Sequence, residues 1–594
     1  MEKRVLLAVF LSFLVLYVYQ ALLEPPPVPQ DAADRQASPA VTDPTQPLPF
    51  PESVPESLIR RPEEISPVER PTPEPLVADT VARDIVVESD LFRATFTNRG
   101  GELISWQLKE YLKDGAPVEL VPRDLPPEEP WPFSLVFDDE MLTALAHEGL
   151  YQPSVPRLQL TNRTAARLTF EYEDASGLHV RKTFAFDPGL QPYFVILTIE
   201  ASLGSQPLNP TIRWGPALGG VEASVGGFQT PRQGPQGVLY GRVLTDGLLD
   251  EPNLEHIRAA DAVRRSTYEG QLAFLGVDNH YFVTAALPMS REATVSYRPV
   301  PLPPSESNGQ SRDLMAFDLF LPDGVANLPF FLGPKDFDIL EAADPILVRA
   351  IDFGWLGWLI VPLHRSLKWI HGSIGNWGWS IIVLTILINV VIFPLRHKSV
   401  VSMRKMQELQ PEMKAIQERY KHLKATDPDK QKMNKEIMGL YRDRGVNPAS
   451  GCLPMILTMP ILFAFYRLLS AAIELRGAPF MLWIDDLSLP DPLYVTPIVM
   501  GASMVLQQKM TPSQADPTQQ KIMMIMPVVF TFMFLGFPSG LVLYWLTSNV
   551  FGIGQQLVTN RIIGAPKVRV VRPAAERQVK QVRKTKGKDK RSGR

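Results

Sequence analysis

Residues Trp377–Leu395, WGWSIIVLTILINVVIFPL, contain no charged side chain. At about 1.5 Å rise per residue the stretch reaches roughly 28 Å, close to the thickness of a bilayer's hydrocarbon core. It predicts a transmembrane helix. One polar residue interrupts its middle: Asn389, flanked by Ile388 and Val390. Thr385 lies one turn earlier, and Arg396 lies seven residues later, just beyond Pro394. Spacings of four and seven place the three on one helix face. An amide in hydrocarbon is unfavourable unless it meets a partner or water. Asn389 is therefore either a hydrogen-bonding contact between helices or part of the lining of a hydrated cavity.

Four more apolar segments follow: Ala449–Leu469, interrupted only by Arg467, then Leu493–Leu506, Ile522–Phe537 and Ser539–Leu557. A fifth, Val5–Leu23, stands behind Lys3 and Arg4 and reads as an uncleaved anchor. The fold class is a polytopic α-helical membrane protein with six transmembrane helices. Leu493–Leu506 is too short to cross about 30 Å upright and predicts local thinning of the bilayer. The last span carries Tyr544, Trp545, Thr547, Ser548 and Asn549. That cluster is either core packing or the wall of a polar site.

Lys and Arg crowd the loop Arg396–Arg444 and the tail 561–594, whereas the loop Ser470–Pro492 is net acidic. The positive-inside rule then places both termini in the cytoplasm. The tail includes Arg583, Lys584, Lys586, Lys588, Lys590 and Arg591. It is a topology signal, a ligand for anionic lipid, or a contact for ribosomal RNA.

Within the first basic loop, residues 400–441 predict a cytoplasmic helical hairpin. Met403, Met406, Leu409, Met413, Ile416 and Tyr420 recur at helical spacing, as do Met433, Ile437 and Leu440, and Thr426-Asp427-Pro428 supplies the turn. Its methionines are either internal core or an adaptable surface for apolar segments. Residues 344–371 predict an amphipathic helix on the membrane surface, interrupted near Pro362, with His364 and His371 at headgroup level. Five of the ten tryptophans lie between Trp355 and Trp379, as expected at a headgroup boundary.

Upstream, residues 24–80 are rich in Pro and acidic side chains and read as an extended linker. Residues 81–340 alternate apolar and polar side chains, as in Leu168-Thr169-Phe170-Glu171-Tyr172. Turns such as Asn98-Arg99-Gly100-Gly101 and Asp187-Pro188-Gly189 separate the runs. That is an all-β domain, placed in the periplasm by the span count. The Gly-rich stretch Gly215–Phe228 lacks the spacing of a phosphate loop.

The chain has 594 residues, is 45% hydrophobic, and carries a net charge of -3, so bulk charge does not mark it as a nucleic-acid binder. A single cysteine, Cys452, excludes an internal disulfide and a cysteine zinc cluster. No H-E-x-x-H, G-x-S-x-G or Walker motif appears, so neither catalysis nor a cofactor or metal is expected.

Several longer motifs carry a resemblance. They are Leu367-Lys368-Trp369-Ile370-His371, Gly375-Asn376-Trp377-Gly378, Gly451-Cys452-Leu453-Pro454, Glu474-Leu475-Arg476 with Ala478-Pro479-Phe480, and Phe537-Pro538-Ser539-Gly540-Leu541-Val542-Leu543-Tyr544. In these the chain resembles the YidC/Oxa/Alb family of membrane protein insertases, strongly over residues 344–562. The resemblance implies a five-helix insertase core over residues 377–558, with a polar groove open to cytoplasm and lipid and closed to the outside. It implies a periplasmic β-supersandwich similar to sugar mutarotases. It also implies an insertase and chaperone of the bacterial inner membrane that serves nascent membrane proteins, alone or with the Sec translocon (SecYEG and SecDF). Ribosome and signal recognition particle are implied partners. The family's groove arginine aligns with Asn389, its threonine contact with Thr385, and its usual tyrosine contact in the last span with Trp545. The expected groove set is Thr385, Asn389, Arg396, Tyr544, Trp545 and Ser548, with Arg396 standing in for the missing charge from the cytoplasmic end. Met403 and Met406 are the expected hairpin contacts. A small-molecule transporter and a membrane-anchored carbohydrate-active enzyme are the rival readings.

Overall fold

The computed structural model describes residues 74–563, apart from 114, 124, 127–128, 162–163, 219–233, 303–311, 421–428, 447–452 and 511–516. The anchor Val5–Leu23, most of the linker, the hairpin turn Thr426-Asp427-Pro428, Cys452, most of the Gly-rich stretch and the tail beyond Ile563 lie outside the described residues.

Among the described residues the β region forms a large sheet of 16 strands and a smaller one of five. Leu178–Phe186 shows why. Its alternate residues Leu178, Val180, Lys182, Phe184 and Phe186 are buried, and those between face outward. It pairs antiparallel with Phe194–Leu203 on one side and Ala166–Asp174 on the other, with Phe184 opposite Leu197 and Leu168. Trp214 anchors the core, stacked on Phe330 at 5.4 Å and edge-on to Phe133 at 4.9 Å. At the predicted turn, Gly100 and Gly101 both have positive φ, which glycine adopts without strain. Lys182 occupies an inward position of the alternation. Its ammonium donates to the carbonyls of Gly100 at 2.6 Å and Phe133 at 2.7 Å. Burial draws it down to about 8, with Glu102 opposing.

The domain is longer than the alternation predicts. Pro75–Val77 pairs with Ala166–Asp174, so the linker ends before residue 80. At the other end, Leu347, Ala350 and Ile351 join the β-domain core.

The helices that follow are α1 (Gly357–Ile374), α2 (Trp377–Glu408), α3 (Gln410–Arg419), α4 (Asp429–Asp443), α5 (Leu453–Ala471), α6 (Val495–Met510), α7 (Pro517–Phe534) and α8 (Ser539–Ile563). Two boundaries differ from the expectation. Pro362 does not interrupt α1. It sits on the exposed face with Trp358 and Trp369, while Ile360, His364, Leu367 and Ile370 bury the opposite stripe. That packing outweighs the one lost N–H. The span and the first hairpin arm are a single helix: α2 passes Pro394, itself exposed, and carries Met403 and Met406 before ending at Glu408. Among the described residues α2 alone combines length and apolarity enough to cross a membrane; Thr458–Ala471 and Met523–Phe534 are shorter apolar stretches. α8 packs between α2 and α6, and α1 packs on α2 and α5.

Candidate functional site

The seam between α2 and α8 gathers most of the polar residues of the spans. Thr385 is fully buried, and its hydroxyl donates back to the Ile381 carbonyl at 2.6 Å. The Asn389 amide donates to the Thr385 carbonyl at 2.8 Å and to the Ser548 hydroxyl of α8 at 3.4 Å. Its carbonyl oxygen accepts from Arg396 at 2.8 Å. The seven-residue spacing is thus realised as a contact: the guanidinium reaches back along the helix to the level of residue 389. Tyr544 lies buried one turn before Ser548, stacked on Phe465 at 4.3 Å. Trp545 meets two rings of α7, Phe534 edge-on at 4.9 Å and Phe530 at 5.9 Å.

The seam continues toward the end of α2, where sequence reasoning named nothing. The Gln555 amide donates to the Phe393 carbonyl at 3.3 Å, His397 pairs with the Thr559 hydroxyl at 3.3 Å, and Arg404 bonds Asn560. On the other side of α8, Asn549 donates to Ser503 of α6 at 3.1 Å. Gln555, Gln556 and Thr559 are buried. The signal was available: Ser548, Gly552, Gln555, Gln556 and Thr559 recur at spacings of three and four on a helix read chiefly for hydropathy.

Part of the hairpin's apolar set packs inward. Leu409, Tyr441 and Val446 form its buried cluster, with Met406, Met413 and Ile437 against it. The Tyr441 hydroxyl donates to the Met413 sulfur at 3.1 Å. Met403 is half-buried outside that cluster. Met406→Lys is expected to weaken the hairpin by about 1–3 kcal/mol, because a charge replaces a packed thioether. Faster proteolytic cleavage between α3 and α4 is the readout; unchanged cleavage would contradict the packing role.

A second polar cluster joins the β domain to the helices. Glu474, after α5, takes His364 at 2.8 Å and Lys368 at 3.2 Å, both from α1. Lys368 also reaches Asp338 at 2.7 Å and Asp336 at 3.4 Å. Burial would raise the Glu474 carboxyl, but the His364 hydrogen bond and the Lys368 charge hold it at about 2. Burial likewise opposes the Lys368 charge, yet the surrounding carboxylates hold its pKa above the usual lysine range. His364 is therefore buried and paired with Glu474 on the inward face of α1. His371 is half-buried and stacked on Trp377 at 3.8 Å. Beside the cluster, Ile473 inserts into the β-domain core, and His280 donates to the Ser470 carbonyl at 2.7 Å. Among the described residues no group of His, Cys, Asp or Glu is placed to hold a metal ion.

A β domain continuous with a helical membrane core is the architecture of an integral membrane protein with a large extramembrane head. Residues 369–566 match the family model described as 60Kd inner membrane protein, and residues 84–366 match the YidC periplasmic domain. The membrane protein insertase YidC of Syntrophus aciditrophicus is 37% identical over 578 residues, covering 94% of this chain and 100% of that protein. The membrane protein insertase YidC of Geobacter metallireducens is 37% identical over 584 residues, covering 96% of this chain and 100% of that protein. The crystal structure of an active YidC insertase with its first transmembrane domain resolved is 18% identical, covers 82% of this chain and 94% of that one, and superposes with a TM-score of 0.32. The chain belongs to the YidC family of membrane protein insertases. It is an inner-membrane protein, and its function is the insertion of membrane proteins.

Proposed function

We propose that insertion uses the α2–α8 seam as a hydrated groove. The polar flank of a substrate enters from the cytoplasm and lodges along Arg396, Asn389, Thr385 and Ser548, with Tyr544 beside them. Its apolar segment slides into lipid along the outer face of α2, where Ile386, Leu387, Val390 and Val391 are exposed. A lone charge at mid-bilayer is unfavourable by about 2.5–3.5 kcal/mol on insertion scales, and the groove offsets part of that. Burial of the substrate's apolar residues supplies the drive, at about 0.8 kcal/mol per CH₂. One observation carries the reading: the Arg396 guanidinium rests on the Asn389 amide, so a cation stands where the family's arginine aligns. Its test, replacement of Arg396, opens the Discussion.

The same proposal takes six spans, both termini in the cytoplasm and the β domain in the periplasm. The exposed tryptophans Trp355, Trp358 and Trp369 line one face around α1 and support its lying at the headgroup level. Met403 and Met406 place the hairpin's base near arriving chains. The Sec translocon and the signal recognition particle pathway are partners in this scheme.

The basic tail, with Arg583, Lys584, Lys586, Lys588, Lys590 and Arg591, contacts ribosomal RNA, and anionic lipid competes for it. Such contacts release counterions, so binding falls steeply with salt. Deleting the residues after Pro566 is expected to weaken ribosome co-sedimentation at low salt and to spare insertion after translation. Equal co-sedimentation by truncated and full-length protein would leave the tail as a topology signal.

A further inference from the structure

We infer that the outward face of the smaller sheet carries a pocket for a small zwitterion of about dipeptide size, with Asp84 taking its ammonium and Arg99 its carboxylate. The pocket shares no residue with the α2–α8 seam, and the insertion scheme above makes no use of it.

The strand Phe92–Thr97 builds the floor. Phe92, Ala94 and Phe96 point into the core, so Thr95 and Thr97 face the other way. Asp84 stands opposite Thr97 on the strand Asp84–Glu88, and Ser105 stands opposite Thr95 on the strand Glu102–Lys113. Around this face, Arg99, Arg123, Trp131 and His147 raise the walls of a cavity of about 680 Å³. That volume falls within the range of about 300–1,000 Å³ usual for small-molecule sites.

Five side chains that line the cavity can carry charge, and three of them are answered by neighbours. Glu102, its side chain only 2% exposed, meets the His147 Nδ1 at 2.7 Å. That hydrogen bond raises the His147 pKa against partial burial, which favours the charged pair. Arg123 reaches the Glu119 carboxylate and the Ser105 hydroxyl, each at 3.4 Å. Asp84 and Arg99 are different. Among the described residues neither side chain makes a hydrogen bond or an ion pair, although Arg99 lies only two residues beyond the partner of Asp84. The Thr95 hydroxyl is equally uncommitted. Half-buried Trp131 and Ile104 supply an apolar wall.

The two free charges select the ligand. A simple anion would meet Asp84, and a simple cation would meet Arg99. A neutral sugar would satisfy neither charge in full. A molecule with an ammonium at one end and a carboxylate at the other answers both, and the guanidinium fork suits a carboxylate in bidentate geometry. An apolar side chain between the two ends would lie on Trp131.

The test is calorimetric titration of the full chain in detergent with the dipeptide alanylleucine. Two blocked forms accompany it, one acetylated at the amine and one amidated at the carboxylate. Saturable binding of the free dipeptide is expected. Each blocked form is expected to bind roughly tenfold more weakly, the factor for losing one hydrogen bond to a charged group. Asp84→Asn is expected to weaken the free dipeptide by the same factor and to leave the acetylated form unchanged, because the contact is already gone. Arg99→Gln is expected to do the same with the amidated form. That pairing of each variant with one blocked end is a coupling that a merely misfolded chain would not show. Arg99→Lys keeps the charge and is expected to recover part of the affinity. Insertion is expected to be normal in all three variants. Absence of binding at millimolar dipeptide, equal binding of free and blocked forms, or tighter binding of maltose than of the dipeptide overturns the site.

Discussion

Arg396→Ala is expected to slow insertion of substrates with acidic translocated flanks by roughly tenfold, the rate effect of about 1.4 kcal/mol. That is roughly half of the about 2.5–3.5 kcal/mol that a carboxylate loses at mid-bilayer, so the arginine offsets part of the penalty. Asn389→Ala is expected to do less. It removes the acceptor at 2.8 Å that holds the guanidinium in place but leaves the charge in the seam. Arg396→Lys separates charge from geometry. Lysine restores the cation without the planar donor fork that reaches a side-chain carbonyl in fixed orientation, so partial recovery is expected. Substrates with neutral flanks provide the control and are expected to insert normally in all three variants. Normal insertion of an acidic-tailed substrate by Arg396→Ala would remove the charge from the mechanism.

The second large effect lies at the junction. Glu474→Ala is expected to lower stability by about 3 kcal/mol, toward the smaller end of the about 3–5 kcal/mol for breaking a buried pair. The smaller end applies because Lys368 keeps Asp338 and Asp336. The sign of the pH dependence follows from the depressed carboxyl. A glutamate whose folded pKa is about 2, against 4.5 when unperturbed, stabilises the native state fully above the ordinary value. That stabilisation is lost as pH falls from 4.5 toward 2. Acid unfolding of the detergent-solubilised chain is therefore expected to shift to higher pH in Glu474→Gln, with the difference between the two proteins shrinking below pH 4. Superimposable acid-unfolding curves would show that the ion cluster contributes nothing to the junction. Because Ile473 inserts into the β-domain core, the same variant is expected to make the chain around Ser470–Arg476 easier to proteolyse.

Much of this molecule is legible in one dimension. The uncharged run Trp377–Leu395, the alternation in Leu168–Tyr172 and the glycine turn at Gly100-Gly101 each report a local rule, of hydrophobic length, of period two, or of positive φ. These need no partner to be read, and α2, the sheets and the turn are where they place them. The Asn389–Arg396 contact was also within reach, because both residues ride on one helix whose periodicity is fixed. Tertiary structure alone decided the rest. Pro362 and Pro394 look like helix breaks in sequence, but packing along a buried stripe carries α1 and α2 through them. Trp545 stands one turn before Ser548 on α8, and only the folded chain shows that its ring meets Phe534 of α7. His364 and Glu474 stand 110 residues apart, so only the folded chain shows that a histidine on an amphipathic helix is the buried hydrogen-bond partner of a carboxylate. Local periodicity can assign a face to a residue. What that face meets depends on contacts between distant segments, and those depend on the packing of the whole chain.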